Sequence, residues 1–255
     1  MVKMFKKKPE KNKAIAMISL VNNISEKDVL NMLFKIRALP SNNHEIKGII
    51  LRISSSGGSL GAAESLVEGL RFVKQELHIP VIGLVTDSAL SSAFYVAMSC
   101  DKVVASPSSL IGNVGAIYRK FNISSLLEQL GVEYEVVSSG NEKDSLNYFS
   151  INKGADSSIA DVIKSNHDNF LDNIKRFRSL DDHRLKCLEN GEVINAKQGF
   201  DLGYIDHLGG LFSAIELLCE LVKEDSLQII SLDTSLSQTN SINIFKRLLS
   251  GVISD

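Results

Sequence analysis

Residues 48–59 read Gly-Ile-Ile-Leu-Arg-Ile-Ser-Ser-Ser-Gly-Gly-Ser. The first six are β-branched and almost wholly apolar, the pattern of a strand covered on both faces. The last six predict a turn, because the pair Gly57 and Gly58 lets the backbone bend sharply and approach a ligand closely. Just beyond, Ala62, Leu66, Leu70 and Val73 recur at helical spacing. Pro80 ends that helical region, and residues 81–86 (VIGLVT) predict a second buried strand. After a break, residues 91–98 predict a short helix, and residues 102–106 (KVVAS) a further strand. Strand, turn, helix and strand in alternation predict an α/β fold, a mostly parallel sheet with helices packed on it. Loops leaving the C-terminal ends of such strands build the site. Two loops qualify, one after each buried strand.

Working outward, residues 14–21 (AIAMISLV) form an apolar run of eight. Spanning a bilayer takes about 20 residues. With Asn22 and Asn23 next and no small-residue cleavage pattern, the run predicts a first strand rather than a signal peptide. Before it stand Lys3, Lys6, Lys7, Lys8, Lys11 and Lys13. Residues 1–13 predict a solvated basic tail, with weak attraction to an acidic membrane surface as the functional alternative. Toward the C-terminus, residues 114–118 and the alternating 132–137 (VEYEVV) predict two more strands. A helix over 124–130 is stopped by Gly131. Ile159, Ile163, Phe170, Ile174 and Phe177 share the stripe of a long helix, and another helix covers 211–222. No repeat or linker divides residues 14–232, which predict one domain. Residues 233–255 predict a polar tail.

The 255 residues carry a formal charge of −2, no Trp and few aromatics. Neither a basic surface nor a stacking platform for nucleic acid is expected. Cys100, Cys187 and Cys219 are far apart and odd in number, so they predict buried free thiols in a reducing compartment, with no metal or disulfide spacing. The expected location is cytoplasmic or peripheral to a membrane.

The second loop, Asp87-Ser88-Ala89-Leu90-Ser91-Ser92-Ala93-Phe94-Tyr95, places Ser91 where strand gives way to helix. A hydroxyl there lies near helix N-terminal amides, which favour the charge that develops in acyl transfer. A plain helix cap is the competing structural role. Amides of the glycine pair can line an oxyanion hole, although a Gly-Gly turn is also common without one. A serine nucleophile needs a base. His44, His78, His167, His183 and His207 all lie outside the two loops, and each reads as a surface residue. A lysine serves instead when desolvation makes it neutral. Lys143, in Ser139-Gly140-Asn141-Glu142-Lys143-Asp144, is the candidate, in a stretch that otherwise reads as a charged surface loop.

At these residues the chain resembles the signal peptide peptidase A family of Ser-Lys peptidases, within the ClpP/crotonase superfamily. The likeness runs from about Ile15 to Gly210. GIILRISSSGGS resembles the family's strand-and-glycine motif. Asp87 to Tyr95 resembles Asp-x-Ala-Ala-Ser-Gly-Gly-Tyr-Tyr, and Asp101 to Pro107 resembles D-K-I-x-A-x-P. Ile111-Gly112-Asn113-Val114-Gly115 is similar to T-G-S-I-G-V, and Ser139 to Asp144 is similar to S-G-x-x-K-D. Residues 191–210 resemble G-R-V-x-x-x-x-Q-A-x-x-x-G-L-V-D-x-L-G-G.

The resemblance implies a repeated ββα superhelix with a mostly parallel sheet flanked by helices, filling residues 14–232. It implies Ser91 as nucleophile, Lys143 as base, Gly57 and Gly58 at the oxyanion hole, and Asn113 orienting the lysine where the family has Ser. Ser92 and Phe94 would line the substrate cleft. Short apolar peptides, signal-peptide remnants among them, are the implied substrates, with no cofactor and no metal. A homo-oligomeric ring of about eight subunits is the implied assembly. Ser92 and Ala93 replace the two glycines that usually follow the nucleophile, and Ser54 and Ser56 replace Asn or Asp, and Pro. The other functional readings are a non-catalytic assembly protein, a crotonase-type acyl-CoA enzyme and a Ser-His-Asp peptidase.

Overall fold

The structure is a computed structural model that describes residues 12–140, 143, 147–149 and 155–233, with only the backbone for 155–158. Most of both predicted tails therefore lies outside the described residues. The chain divides into two compact units, residues 1–114 with 174–255, and residues 115–173.

In the first unit β1 is Lys13–Ile24, α1 Glu26–Arg37, β2 Glu45–Gly58 and α2 Leu60–Glu76. Then come β3 Val81–Leu90, α3 Ser92–Met98, β4 Lys102–Ala105 and β5 Leu110–Gly112. The second unit holds α4, Ser124–Gln129. Helix α5, Ala155–Arg178, carries the chain back to the first unit. There follow α6 Asp182–Lys186, β6 Val193–Asn195, α7 Ala196–Asp201, β7 His207–Leu208, α8 Leu211–Val222 and β8 Gln228–Ser231.

The strands form one sheet in the order β6-β5-β3-β2-β1-β8, with β4 on β3 and β7 on β4. Every pair is parallel except β5–β6. Strand β3 is long enough to take two neighbours on one edge. Ile82–Val85 pair with β4, and Ser88–Leu90 pair with β5. This branching leaves the C-terminal end of β3 flanked by β2 on one side and the short β5 on the other.

Both faces are covered, which is why the strands are continuous apolar runs. On one face Ile15, Ile50, Ile82, Leu84 and Val104 pack with Ala214, Ile215 and Leu218 of α8. Gly48 admits α8, since a Cβ there would stand 2.6 Å from Leu218. On the other face α3 closes on Gly83, where a Cβ would meet Cys100 Sγ at 3.2 Å. Burying each large aliphatic side chain stabilises by about 1.5–3 kcal/mol. Serine caps start two of the helices: Ser25 Oγ accepts from Asp28 N–H, and Ser59 Oγ from Ala62 N–H, both at 3.3 Å.

Several local expectations are corrected. The predicted turn after 48–53 is still strand, because β2 stays on the ladder to Gly58, opposite Ile24. Residues 114–118 and 132–137 are not strands. Val132, Tyr134, Val136 and Val137 are exposed, and no ladder forms along them among the described residues. Alternation alone does not hold a strand that has no neighbouring strand to pair with. The three thiols are free, as expected, but only Cys100 is buried; Cys187 and Cys219 are partly exposed.

Arg178, at the end of α5, makes a buried ion pair with Asp206 at 2.5 Å, with side chains only 8% and 17% exposed. Asp206 also accepts from Val103 N–H at 2.8 Å and from Lys102 Nζ at 3.1 Å. Burial pushes its carboxyl up, but Arg178, the Val103 amide and Lys102 outweigh that and hold it below the usual range. A depressed folded pKa adds stability that is full above the unfolded value, about 3.9, and is lost as pH falls through the folded value. Asp206→Ala is expected to destabilise by about 3 kcal/mol at pH 7, since it leaves Arg178 buried without its partner. Urea midpoints at pH 7 and pH 3 check this, with the gap between wild type and variant closing at the acid end.

Candidate active site

Ser91 sits between β3 and α3 with φ 53° and ψ −128°. A residue other than glycine in that region carries about 1–3 kcal/mol of strain, which persists only where surrounding structure holds it. The holding contacts are visible. Ser91 N–H donates to Gly112 C=O at 2.8 Å, and its own C=O accepts from Phe94 N–H at 2.9 Å. Its side chain makes no cap hydrogen bond to α3. The plain capping role is therefore not the one it takes.

The glycine pair stands beside it. Gly57 has φ 101°, and a Cβ there would lie 2.8 Å from both Ser91 Cβ and Leu90 C=O, and 3.3 Å from Ser91 Oγ. Gly58 has φ 150°, and a Cβ there would strike Ile24 C=O at 2.4 Å. Gly57 N–H donates to Ser55 Oγ at 3.1 Å, so that amide is already engaged. Across the site, Gly112 has φ 99°, and Asn113 (φ 52°) donates its N–H to Glu192 C=O at 2.7 Å. Ser91, Gly57, Gly58, Gly112 and Asn113 are thus gathered at the C-terminal ends of β2, β3 and β5.

Phe94, Ser92 and Lys143, the other expected site residues, differ in their surroundings. Phe94 is fully buried and meets Tyr204 edge-on at 6.0 Å between ring centres, so its contacts here are those of the core. Ser92 is 1% exposed and donates from Oγ to Gly58 C=O at 3.3 Å. Lys143 belongs to the second unit, where it is exposed and donates its backbone N–H to Gly140 C=O at 3.1 Å. Glu142 and Asp144 lie outside the described residues. Sequence reasoning missed Ser55. It is 2% exposed, donates from Oγ to Asn22 C=O, and accepts from Gly57. No periodicity or spacing marks such a residue.

Cys100, His78 and His207 are poorly placed to compete as nucleophile or base. Burial pushes the Cys100 thiol up to about 12, so it stays protonated at neutral pH. His78 precedes β3 and Ser91 follows it, which separates them by about 30 Å of strand. His207 pairs with Val104, level with Leu84, about 20 Å short of Ser91. Among the described residues no group of three or more His, Cys, Asp or Glu could hold a metal ion. No described helix is long and apolar enough to cross a membrane. A cavity of about 600 Å³ opens among Lys47, Lys74, His78, Pro80 and Lys102. It lies at the N-terminal ends of the strands, opposite the end where sites form in such sheets. Its lysines are paired with Glu45, Asp101 and Asp206.

The profile of Peptidase family S49 matches residues 73–225, well over half of the chain. The chain belongs to peptidase family S49. That match takes in Ser91, Asn113 and Lys143. Among curated proteins, "Putative signal peptide peptidase SppA" of Enterococcus faecium is 26% identical over 174 residues, 68% of this chain and 50% of that protein. "Putative protease slr0021" of Synechocystis sp. is 27% identical over 162 residues, 63% of this chain and 58% of its own length. "Serine protease SPPA, chloroplastic" of Arabidopsis thaliana is 26% identical over 187 residues, 72% of this chain and 27% of its own. The chain spans about half the length of the first two of these relatives.

Proposed function

We propose that this S49 chain is a serine endopeptidase that cleaves short apolar peptides, signal-peptide remnants among them, with Ser91 as nucleophile and Lys143 as general base. The observation that carries the reading is Ser91 itself. It is held at φ 53° at the end of β3, its hydroxyl is not used as a cap, and a glycine backbone is pressed against it. Neutral Lys143 takes the Ser91 proton as Oγ attacks the scissile carbonyl. The Gly58 amide faces the oxyanion, because the Gly57 amide is taken by Ser55. One such donor lowers the barrier by about 3–4 kcal/mol. The ammonium of Lys143 then protonates the leaving amine, and water repeats the cycle on the acyl-enzyme. Asn113, next to the carbonyl that anchors Ser91, offers an acceptor for the lysine.

In the isolated chain Lys143 is exposed, whereas a neutral amine needs water removed from it. The second unit also exposes the large apolar side chains of Ile117, Phe121, Leu130 and Val137, which contact between copies would cover. We therefore include assembly of several copies, as a ring, in the proposed function. Light scattering in solution is expected to give a multiple of the chain mass, and a single-chain mass would remove the assembly.

The experiment that tests the peptidase reading is chemical labelling. A fluorophosphonate probe is expected to modify one residue, identified as Ser91 by mass spectrometry of digested protein. Absence of labelling in folded protein, or labelling that survives Ser91→Ala, would support the non-catalytic reading.

A further inference from the structure

We infer that Ser55 and Ser92 form a hydroxyl clamp, a pair of positioning residues that fixes the Gly57–Gly58 peptide beside Ser91. The inference rests on the peptidase reading above and deepens it.

A pair of glycines is the most mobile kind of backbone, since neither residue has a Cβ to restrict it. Mobility is a defect in an oxyanion hole, whose donors act by being held in place before charge develops. Gly57 and Gly58 are bound on both flanks by buried hydroxyls. On one flank Ser55 Oγ accepts from Gly57 N–H at 3.1 Å. On the other, Ser92 Oγ donates to Gly58 C=O at 3.3 Å. Gly57 N–H belongs to the peptide before Gly57, and Gly58 C=O to the peptide after Gly58. The clamp therefore brackets the single peptide unit between them, whose N–H is that of Gly58. Both flanking peptides are restrained, so the plane of the middle one is restrained too.

Each hydroxyl is itself fixed. Ser55 is 2% exposed and spends its proton on Asn22 C=O, which leaves its oxygen to receive Gly57. Asn22 has φ 62° and sits where β1 slips register against β2, between Val21 and Asn23. Strand β2 slips against β3 between Ile53 and Ser55. The two slips bring Ser55 under the glycines. Ser92 is 1% exposed and follows the nucleophile directly, so it ties the glycine backbone to the segment that carries Ser91. A buried polar side chain needs a partner, and for Ser92 the glycine carbonyl is that partner. Glycine at position 92, the residue that the resemblance leads one to expect, has no hydroxyl to make this bond.

The test uses the full chain, a short apolar peptide substrate and the fluorophosphonate probe. Ser55→Ala and Ser92→Ala are each expected to lower kcat about tenfold, the full range of one hydrogen bond, with KM changed less than twofold. Both are expected to slow Ser91 labelling by a similar factor. The double variant should lose less than the product of the single losses, because both hydroxyls hold one peptide unit. Ser92→Thr, which keeps the hydroxyl, is expected to recover most of the rate. A merely structural role would shift the thermal midpoint and leave kcat and labelling unchanged at temperatures where the protein is folded. Should Ser55→Ala fail to fold, the Ser92→Ala and Ser92→Thr pair decides. Wild-type protein that labels at Ser91 and turns over, with both alanine variants within twofold of it, overturns the clamp and leaves the peptidase standing. Wild-type protein that is neither labelled nor active removes the peptidase reading itself, and the clamp with it.

Discussion

Lys143→Ala is expected to lower peptide hydrolysis by about 10³-fold, within the range that a positioned general base contributes. An ordinary lysine has a pKa near 10.4, which leaves about 0.04% neutral at pH 7. Reaching the neutral form from there is a deficit of about 4.6 kcal/mol, at 1.36 kcal/mol for each pH unit. Desolvation lowers that deficit by disfavouring the ammonium. The sign of the pH dependence follows. In the proposed mechanism the base is a deprotonated amine, so the wild-type rate is expected to rise with pH through the alkaline range. In Lys143→Ala that rise disappears. Lys143→Arg is expected to be as inactive as the alanine variant, since a guanidinium keeps its positive charge but does not give up its proton. A rate profile flat through the alkaline range, with Lys143→Ala active, would remove lysine from the mechanism. His44, His78 and His207 are poor replacements. His44 and His78 stand at the starts of β2 and β3, the end of the sheet away from Ser91.

The parts of the fold legible in the sequence are those whose pattern reports burial. Residues 48–53 and 81–86 are apolar without alternation because helices cover both faces of β2 and β3. Ala62, Leu66, Leu70 and Val73 are the buried stripe of α2, as their spacing predicts. The predicted 211–222 helix matches α8 residue for residue. What failed depends on partners distant in the chain. Residues 132–137 alternate, yet no ladder forms on them among the described residues. Strands β5 and β6 are three residues each, too short to show a period, and hold through each other and β3. Helix α1 was missed although Ser25 and Asp28 at its start are the usual signals of a capped N-terminus.

The candidate site was legible to the same degree. The place of Ser91 at a strand-to-helix junction followed from local pattern, and Gly57 and Gly58 followed from composition. The strained φ of Ser91 left no trace in the sequence, because a serine there looks like any N-cap. Ser55 is invisible for a different reason. Its role requires Asn22 on β1, 33 residues away in sequence, and arises only when the two strands pair with their slip.

Gly57→Ala separates a glycine needed for shape from one that merely occurs in a turn. The new methyl would lie 2.8 Å from Ser91 Cβ and from Leu90 C=O, distances that Cβ atoms essentially never show. Leu90 C=O is backbone at the end of β3 and does not rotate away. The backbone is also at φ 101°, which L side chains rarely adopt. Left-handed backbone costs about 1–2 kcal/mol, and overpacking about 1–3 kcal/mol more. The expected destabilisation is therefore about 3 kcal/mol, read from a urea or thermal midpoint. Activity should fall further than stability does. Relief of the clash requires Ser91 or the glycine backbone to move, and a displacement of about 1 Å in a reacting group can lower the rate about 10²-fold. Gly61→Ala provides the contrast. A Cβ there meets nothing within 4 Å, and the position is in the first turn of α2. Alanine in a helix is favoured over glycine by up to about 1 kcal/mol, so this variant should keep full activity and lose no stability. Equal behaviour of the two variants would mean that the close approach of Gly57 to Ser91 does not govern the chemistry.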